Sequence, residues 1–497
     1  METSRCPLHA GCPHGAVGRR RFIVRSAGAT IAPLVLGRFG SLFAAEAEGI
    51  RRIRACGPAS KYVPKVKAAF VRRRGEYGMR WPGQVYDGEA ARKKYAAAMV
   101  KQAKALGILF DLRSAPIYSS KEAGQWLEEA KAAGVDGLMV VVLDRQEHAW
   151  PTAYQAVGSG IPTVIYSPLG TSFTTNTSRL AGAPGCVVHA TDDFSHALFG
   201  MKMLQAGARM RRTRCVVLRG NKRSEWPLGD TGITLRHVPA GTFLEYYREM
   251  SETAEVRALA ERYLKGARKR TDASEQDVRN GVKSYFVAAR ILEEEQGDAI
   301  TMDCLGALGK SEVSLPCIAW SRMNDDAIPA ACEADPGAVA AHVVVQHLFD
   351  RPGFQQDPVP ETAVGGIIGA HCSCPTKLNG FDEPPERFDL KHHHGNRDAV
   401  PRTIWREGQR ITCLDVLPGG AGKGKKERSR FLISTGTVLE NLEVPPAGGC
   451  VVSVLVKMDG DREVLSFPGF HQLFFYGEFA RELKDFCQLQ GFEAEMV

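Results

Sequence analysis

Seven consecutive residues, Gly137-Leu-Met-Val-Val-Val-Leu143, carry no polar side chain. So many β-branched and aliphatic residues in a short run favour a strand. A strand that is apolar on both faces must be covered on both faces, which is the condition of a parallel sheet layered between helices. The neighbouring segments repeat the theme. Val66–Val71, Gly107–Leu112 and Ile161–Tyr166 read as further short buried strands. Gly88–Leu106 and Lys121–Ala133 read as amphipathic helices, and another helix stops near Gly158-Ser-Gly160. Strand, helix and strand joined by short connections give an α/β layer with right-handed crossovers.

A second unit of this kind is expected after the Gly/Pro/Thr-rich stretch Pro168–Gly185. Its strands are placed at Cys186–His189, Arg214–Leu218, Thr234–Val238 and Asp298–Met302. Its helices are placed at Phe194–Gly207, Thr242–Ser251, Ala254–Arg268 and Glu275–Glu295. Beyond about Asp350 the texture changes to short alternating segments, such as Arg410–Val416, Arg430–Ser434 and Gly449–Lys457, separated by turn-rich loops. An amphipathic helix, Glu478–Gln490, closes the chain. The expected class is therefore α/β: two Rossmann-like domains with parallel sheets, residues 48–170 and 171–350, then a small antiparallel β-barrel domain over 351–497.

The first 47 residues belong to none of these. Arg19-Arg20-Arg21-Phe22-Ile23, the modestly apolar run Ala27–Leu36 and the small-residue segment Phe43–Ala47 resemble a bacterial twin-arginine export signal. Arg38 keeps the apolar run well short of the ~18 residues a membrane span needs, so no stable membrane anchoring is expected. The expected location is exported or periplasmic if that signal works, and cytoplasmic otherwise. The 64 Lys and Arg exceed the 56 Asp and Glu, and the leader holds six of the arginines against only Glu2 and Glu46. The body is then close to neutral, which argues against a nucleic-acid partner. Thirteen scattered cysteines, an odd number, read mostly as small buried apolar residues. Pro418–Lys426 is rich in Gly and Lys but lacks the spacing of a phosphate loop, and reads as a basic hairpin tip.

The segment from Ile318 to Pro375 carries the chemistry. Asp335 followed by Pro336 fits a helix N-cap with proline at the first helical position. Glu333 is left in the loop just before that helix, between an apolar Ala-Ala-Cys run and a buried helical stretch, where an unpaired carboxylate is costly. Asp357 follows after one helix and a returning loop. His471 is embedded in an aromatic-apolar strand just before Phe474-Phe-Tyr-Gly477. One Glu, one Asp and one His with open positions suit a hard divalent ion such as Mn²⁺ or Mg²⁺ better than a closed thiolate zinc site. Cys372-x-Cys374 has no second cysteine pair close in sequence and is not read as a soft-metal site.

Glu333-x-Asp335-x-Gly337, an intervening helix, Asp357 and a histidine before an aromatic strand, Gly477 and a terminal helix resemble the L-fucose isomerase/L-arabinose isomerase superfamily, nearest to its fucose isomerase branch. The plan of two α/β domains and a barrel is similar as well. The resemblance implies a metal-dependent aldose–ketose isomerase acting on a monosaccharide through an enediol. Glu333 and Asp357 would be acid/base groups and metal ligands, His471 the third ligand, and Mn²⁺ the expected ion. It also implies a homo-oligomer, a trimer or hexamer. His371, which matches the place of a ligand in the arabinose branch, is a candidate ligand or sugar contact. Trp320, Arg322, Asn324 and His394, the last at the end of a run of three histidines, are candidate sugar contacts. The alternative is a non-catalytic sugar- or polyol-binding protein of the same fold, since fold does not fix function.

Overall fold

A computed structural model describes residues 50–75, 78–79, 86–145, 147–393, 397–422, 425–443 and 450–497. The export-signal reading of residues 1–47 and the sugar contact expected of His394 lie outside them.

The first sheet has five parallel strands, in the order Leu109–Leu112, Lys65–Val71, Gly137–Val142, Thr163–Ser167, Cys186–Ala190. Its central apolar run is buried at every position. Met139 and Val141 pack with Tyr95, Met99 and Met201 on one face, while Leu138, Val140 and Val142 pack with Trp126, Leu127 and Ala153 on the other. This is the two-sided burial that the composition of the run demands. The helix Gly88–Leu106 starts where Asp87 accepts from Glu89 and Ala90 N–H groups, and ends at Gly107 in the left-handed conformation.

Cys186–Ala190 pairs residue by residue with Thr163–Ser167 and so belongs to this first sheet, not to the second unit in which the sequence placed it. The Gly/Pro/Thr-rich stretch before it is a long connection inside one sheet. Its turn-forming composition makes it read like a linker.

The second sheet runs Ala330–Cys332, Ala299–Met302, Arg214–Leu218, Thr234–Val238 in parallel, with Ser224–Pro227 antiparallel on the edge. An edge is where a proline-containing strand is tolerated. The helix Glu275–Glu294 covers it with Val278, Val282, Tyr285 and Ile291.

The barrel has six antiparallel strands, in the order Arg410–Leu417, Gln472–Tyr476, Phe354–Glu361, Gly366–His371, Val452–Met458, Arg430–Asn441. The last pairs back onto the first over eight residues, which closes the sheet and removes its edges. A strand absent from the sequence reading, Glu493–Met496, adds in parallel to Arg430–Ile433. The helix before it, Ala480–Gln490, reaches the first sheet: Gly185 N–H donates to the Gln488 carbonyl at 2.8 Å and Gln488 Nε2 donates to the Cys186 carbonyl at 2.7 Å. The helix Pro336–Phe349 is buried along most of its length and joins the second sheet to the barrel. No helix among the described residues is long and apolar enough to cross a membrane.

Candidate metal centre

Glu333 follows directly on the edge strand Ala330–Cys332, at the carboxyl end of a parallel sheet, where open α/β folds present their ligand-facing loops. Glu333 and Ala334 both take left-handed backbone, φ +61° and +53°, which costs a non-glycine residue roughly 1–2 kcal/mol. The turn sets Asp335 at the N-cap of the helix Pro336–Phe349, with Pro336 its first residue. Asp335 Oδ1 accepts from the N–H groups of Gly337 at 2.7 Å and Ala338 at 3.1 Å. Gly337 is required for close approach. A β-carbon there would stand 2.5 Å from the Val416 carbonyl oxygen of the barrel.

The helix delivers the chain to the strand Phe354–Glu361, so Asp357 lies on a barrel strand. That strand is flanked by Gly366–His371 on one side and Gln472–Tyr476 on the other. Its ladders pair Asp357 with Ala370, and Gln356 with Gln472. His371 and His471 therefore both stand within one residue of the Asp357 row. His471 precedes its strand instead of lying within it, and is itself left-handed, φ +51°.

These three segments bring the side chains together. His471 Nε2 lies 3.2 Å from Asp357 Oδ1 and 3.5 Å from Glu333 Oε2. His371 Nε2 lies 3.9 Å from Glu333 Oε1, and the two imidazole rings meet edge to face at 5.8 Å between centroids. Glu333, His371 and His471 each offer one ligand atom within 4.8 Å of the others. His471 Nε2 and Asp357 Oδ1 are sealed from solvent, yet neither is aligned for a hydrogen bond. Ligand atoms of Glu333, His371 and His471 this close together suit a cation once His471 releases its Nε2 proton.

The far side of the His471 ring is occupied. Its Nδ1 lies 2.8 Å from Asp335 Oδ2, a carboxylate–histidine pair that leaves Nε2 facing Glu333 and Asp357. Burial pulls the His471 imidazolium down, but Asp335, Asp357 and Glu333 outweigh it and push the group up to about 11. Glu333 is held below its ordinary value, chiefly by His471 and against its own burial, with help from His371. Burial would raise Asp335, yet His471 and the N–H groups of Ala338 and Gly337 bring it below its ordinary value. Behind the turn, burial pushes Asp415 up to about 6. Asp415 accepts from the Phe470 N–H at 3.1 Å. It also packs so closely on Gly469, φ +94°, that a β-carbon there would strike the carboxylate. This clamp holds the turn that presents His471.

Asp335 thus has a second role that helix capping alone does not express. The clue available in the sequence was that a cap uses only one carboxylate oxygen and leaves the other free.

Three expected sugar contacts are corrected. Trp320, Arg322 and Asn324 lie on the buried helix Cys317–Asp325 and do not line the pocket at Glu333. Trp320 is core. Arg322 makes a two-bond pair with Asp326 at 2.8 and 3.0 Å. Asn324 donates to the Trp320 and Ala330 carbonyls at 3.0 and 2.8 Å, splinting the strand that carries Glu333. A short helix with apolar residues on every side gives no sequence signal of which polar side chains face outward. His392, next to His394, ties its hairpin to the helix Glu275–Glu294 through Asp277 at 3.1 Å.

Glu333 and His371, but not Asp357 or His471, line a narrow crevice of about 20 Å³. No family model matches the chain, and no curated protein matches it either.

Proposed function

We propose that the chain is a divalent-cation-dependent aldose–ketose isomerase acting on a monosaccharide through an enediol. Glu333, Asp357 and His471 hold the cation, Mn²⁺ is the expected ion, and His371 stands beside them. The reading rests on one observation: an imidazole nitrogen without an aligned partner faces two carboxylates, at 3.2 and 3.5 Å, across the junction of two domains.

The donor set supports a hard ion, since it offers carboxylate oxygen and imidazole nitrogen and no sulfur. The cation, when bound, supplies positive charge beside the two substrate oxygens between which the carbonyl moves. Exposure divides the labour among the residues. Glu333 and Asp357 side chains are 36% and 32% exposed, whereas His471 and His371 are 5% and 7% exposed. The carboxylates reach the substrate and the imidazoles back them. Moving a carbonyl between C1 and C2 takes a proton from the carbon next to it and returns one at the neighbouring atom. Glu333, held as a carboxylate by His471 and His371, can accept the first, and Asp357 on the facing strand can return the second. The three strained backbone positions at Glu333, Ala334 and His471 fit a site whose geometry is held for function.

The test is solvent-deuterium incorporation at the sugar carbon next to the carbonyl, followed by NMR across a panel of aldoses with Mn²⁺ present. Incorporation is expected, is abolished by chelator, and falls by roughly 10²-fold or more in Glu333→Gln. A chain that is thermally stabilised by a sugar and incorporates no deuterium is a binding protein, and the proposal fails.

A further inference from the structure

Five cysteines line the pocket beside Glu333: Cys304, Cys317, Cys332, Cys372 and Cys450. They come from distant parts of the chain. Cys304 and Cys332 follow or end neighbouring parallel strands, in which Met302 pairs with Cys332. Cys317 opens the helix Cys317–Asp325. Cys372 and Cys450 flank neighbouring barrel strands, in which His371 pairs with Val452. The strand register sets Cys304 beside Cys332 and Cys372 beside Cys450 at the pocket wall, where Cys332 Sγ also donates to Ser373 Oγ at 3.2 Å. All five are free thiols; Cys450 alone is partly exposed and the others are buried. Elsewhere thiols meet oxygens: Cys56 donates to the Leu292 carbonyl at 3.4 Å and Cys413 to Gln472 Oε1 at 3.2 Å.

We propose that this thiol seam is a second metal site, for a soft monovalent cation of the Cu⁺ class. One ion sits between Cys304 and Cys332 and another between Cys372 and Cys450. Sulfur selects soft ions over the hard dications that suit oxygen and imidazole nitrogen. The number of ligands narrows the class. Among the described residues no three sulfurs come close enough to share one ion, and the triad that does is Glu333, His371 and His471. Zinc asks for four tetrahedral ligands, whereas a pair of facing sulfurs suits a two-coordinate ion. Leu305 and Leu315 complete the wall. In such apolar surroundings a neutral complex is favoured over a charged one. A monovalent ion on one thiolate and one thiol is neutral: as it binds, one thiol of the pair releases its proton to solvent and no electron is transferred. The pocket then sorts its ions by hardness, with sulfur on one wall and Glu333 and His371 on the other. The seam has no signature in the sequence because no two of its cysteines lie near each other along the chain.

The experiment is an anaerobic titration of the full chain with Cu⁺ in the presence of the chromophoric chelator bicinchoninate, which reports the ions the protein withdraws. Two ions per chain are expected. The count falls to one in Cys304→Ser/Cys332→Ser and to one in Cys372→Ser/Cys450→Ser, and stays at two in Cys56→Ser. X-ray absorption of the loaded natural chain tests the same claim without a variant, and is expected to report sulfur neighbours and no carboxylate oxygen. Withdrawal of no Cu⁺, a count unchanged in both double variants, or an oxygen-nitrogen shell around the ion overturns the proposal. The site stands apart from the isomerase reading. Deuterium incorporation is measured with Mn²⁺ alone, so either result leaves the other intact.

Discussion

Replacing Asp335 with Asn separates its two jobs. Oδ1 receives the Gly337 and Ala338 N–H groups, and Asn caps a helix about as well as Asp, so the helix Pro336–Phe349 keeps its start. Oδ2 faces His471 Nδ1 at 2.8 Å. In the Asn variant an amide N–H₂ turned toward that nitrogen sets donor against donor. The imidazole is then driven to put its one proton on Nε2, where Glu333 and Asp357 wait at 3.5 and 3.2 Å. A cation must first displace that proton. Loss of such an outer partner weakens metal binding about 10–100-fold, or about 1.4–2.7 kcal/mol. Calorimetric titration of Mn²⁺ into the two proteins measures it. Asp335→Ala is expected to lose the same affinity and, in addition, about 1 kcal/mol of folding stability through the missing cap. An Asn variant that binds Mn²⁺ within twofold of the natural chain refutes the argument that Asp335 orients His471.

Two further outcomes follow from the same geometry. His471 holds its proton more tightly folded than unfolded, about 11 against 6.5, so without a cation its contribution is complete below about pH 6.5 and lost as pH rises toward 11. Glu333 and Asp335 are held below their ordinary values, so their contribution is present above about pH 4.5 and lost as pH falls. The melting temperature of the chelated chain should therefore decline on the alkaline side, and His471→Gln should flatten that decline; equal alkaline slopes in the two proteins contradict the charge assignment. Gly337→Ala forces a β-carbon to 2.5 Å from the Val416 carbonyl and should cost roughly 1–3 kcal/mol in urea unfolding, with weaker Mn²⁺ binding as the Glu333 turn shifts. Unchanged stability would mean that the helix and the barrel do not meet as described.

The sheet architecture was legible because burial on two faces leaves a continuous apolar run, and Gly137–Val142 shows that run without interruption. The helix Gly88–Leu106 was legible end to end because Asp87 and Gly107 mark its limits with side-chain and backbone chemistry. Features set by distant contacts were not. Cys186–Ala190 has no local mark of which sheet it joins, and only its pairing with Thr163–Ser167 decides. Glu333, Asp357 and His471 could be named from motif and order, but the register that aligns Asp357 with His371 and His471 belongs to the barrel ladders. Trp320, Arg322 and Asn324 were misread because proximity in sequence to Glu333 says nothing of which way a buried helix turns its polar residues.

The central claim is that one hard cation sits where two domains meet, held by two carboxylates and an imidazole. Anomalous diffraction from crystals grown with Mn²⁺ addresses it without relying on turnover. The account predicts a single strong peak at coordination distance, about 2.0–2.6 Å, from Glu333, Asp357 and His471 Nε2. A map with no peak there, or with manganese held elsewhere while these side chains keep to one another, contradicts it.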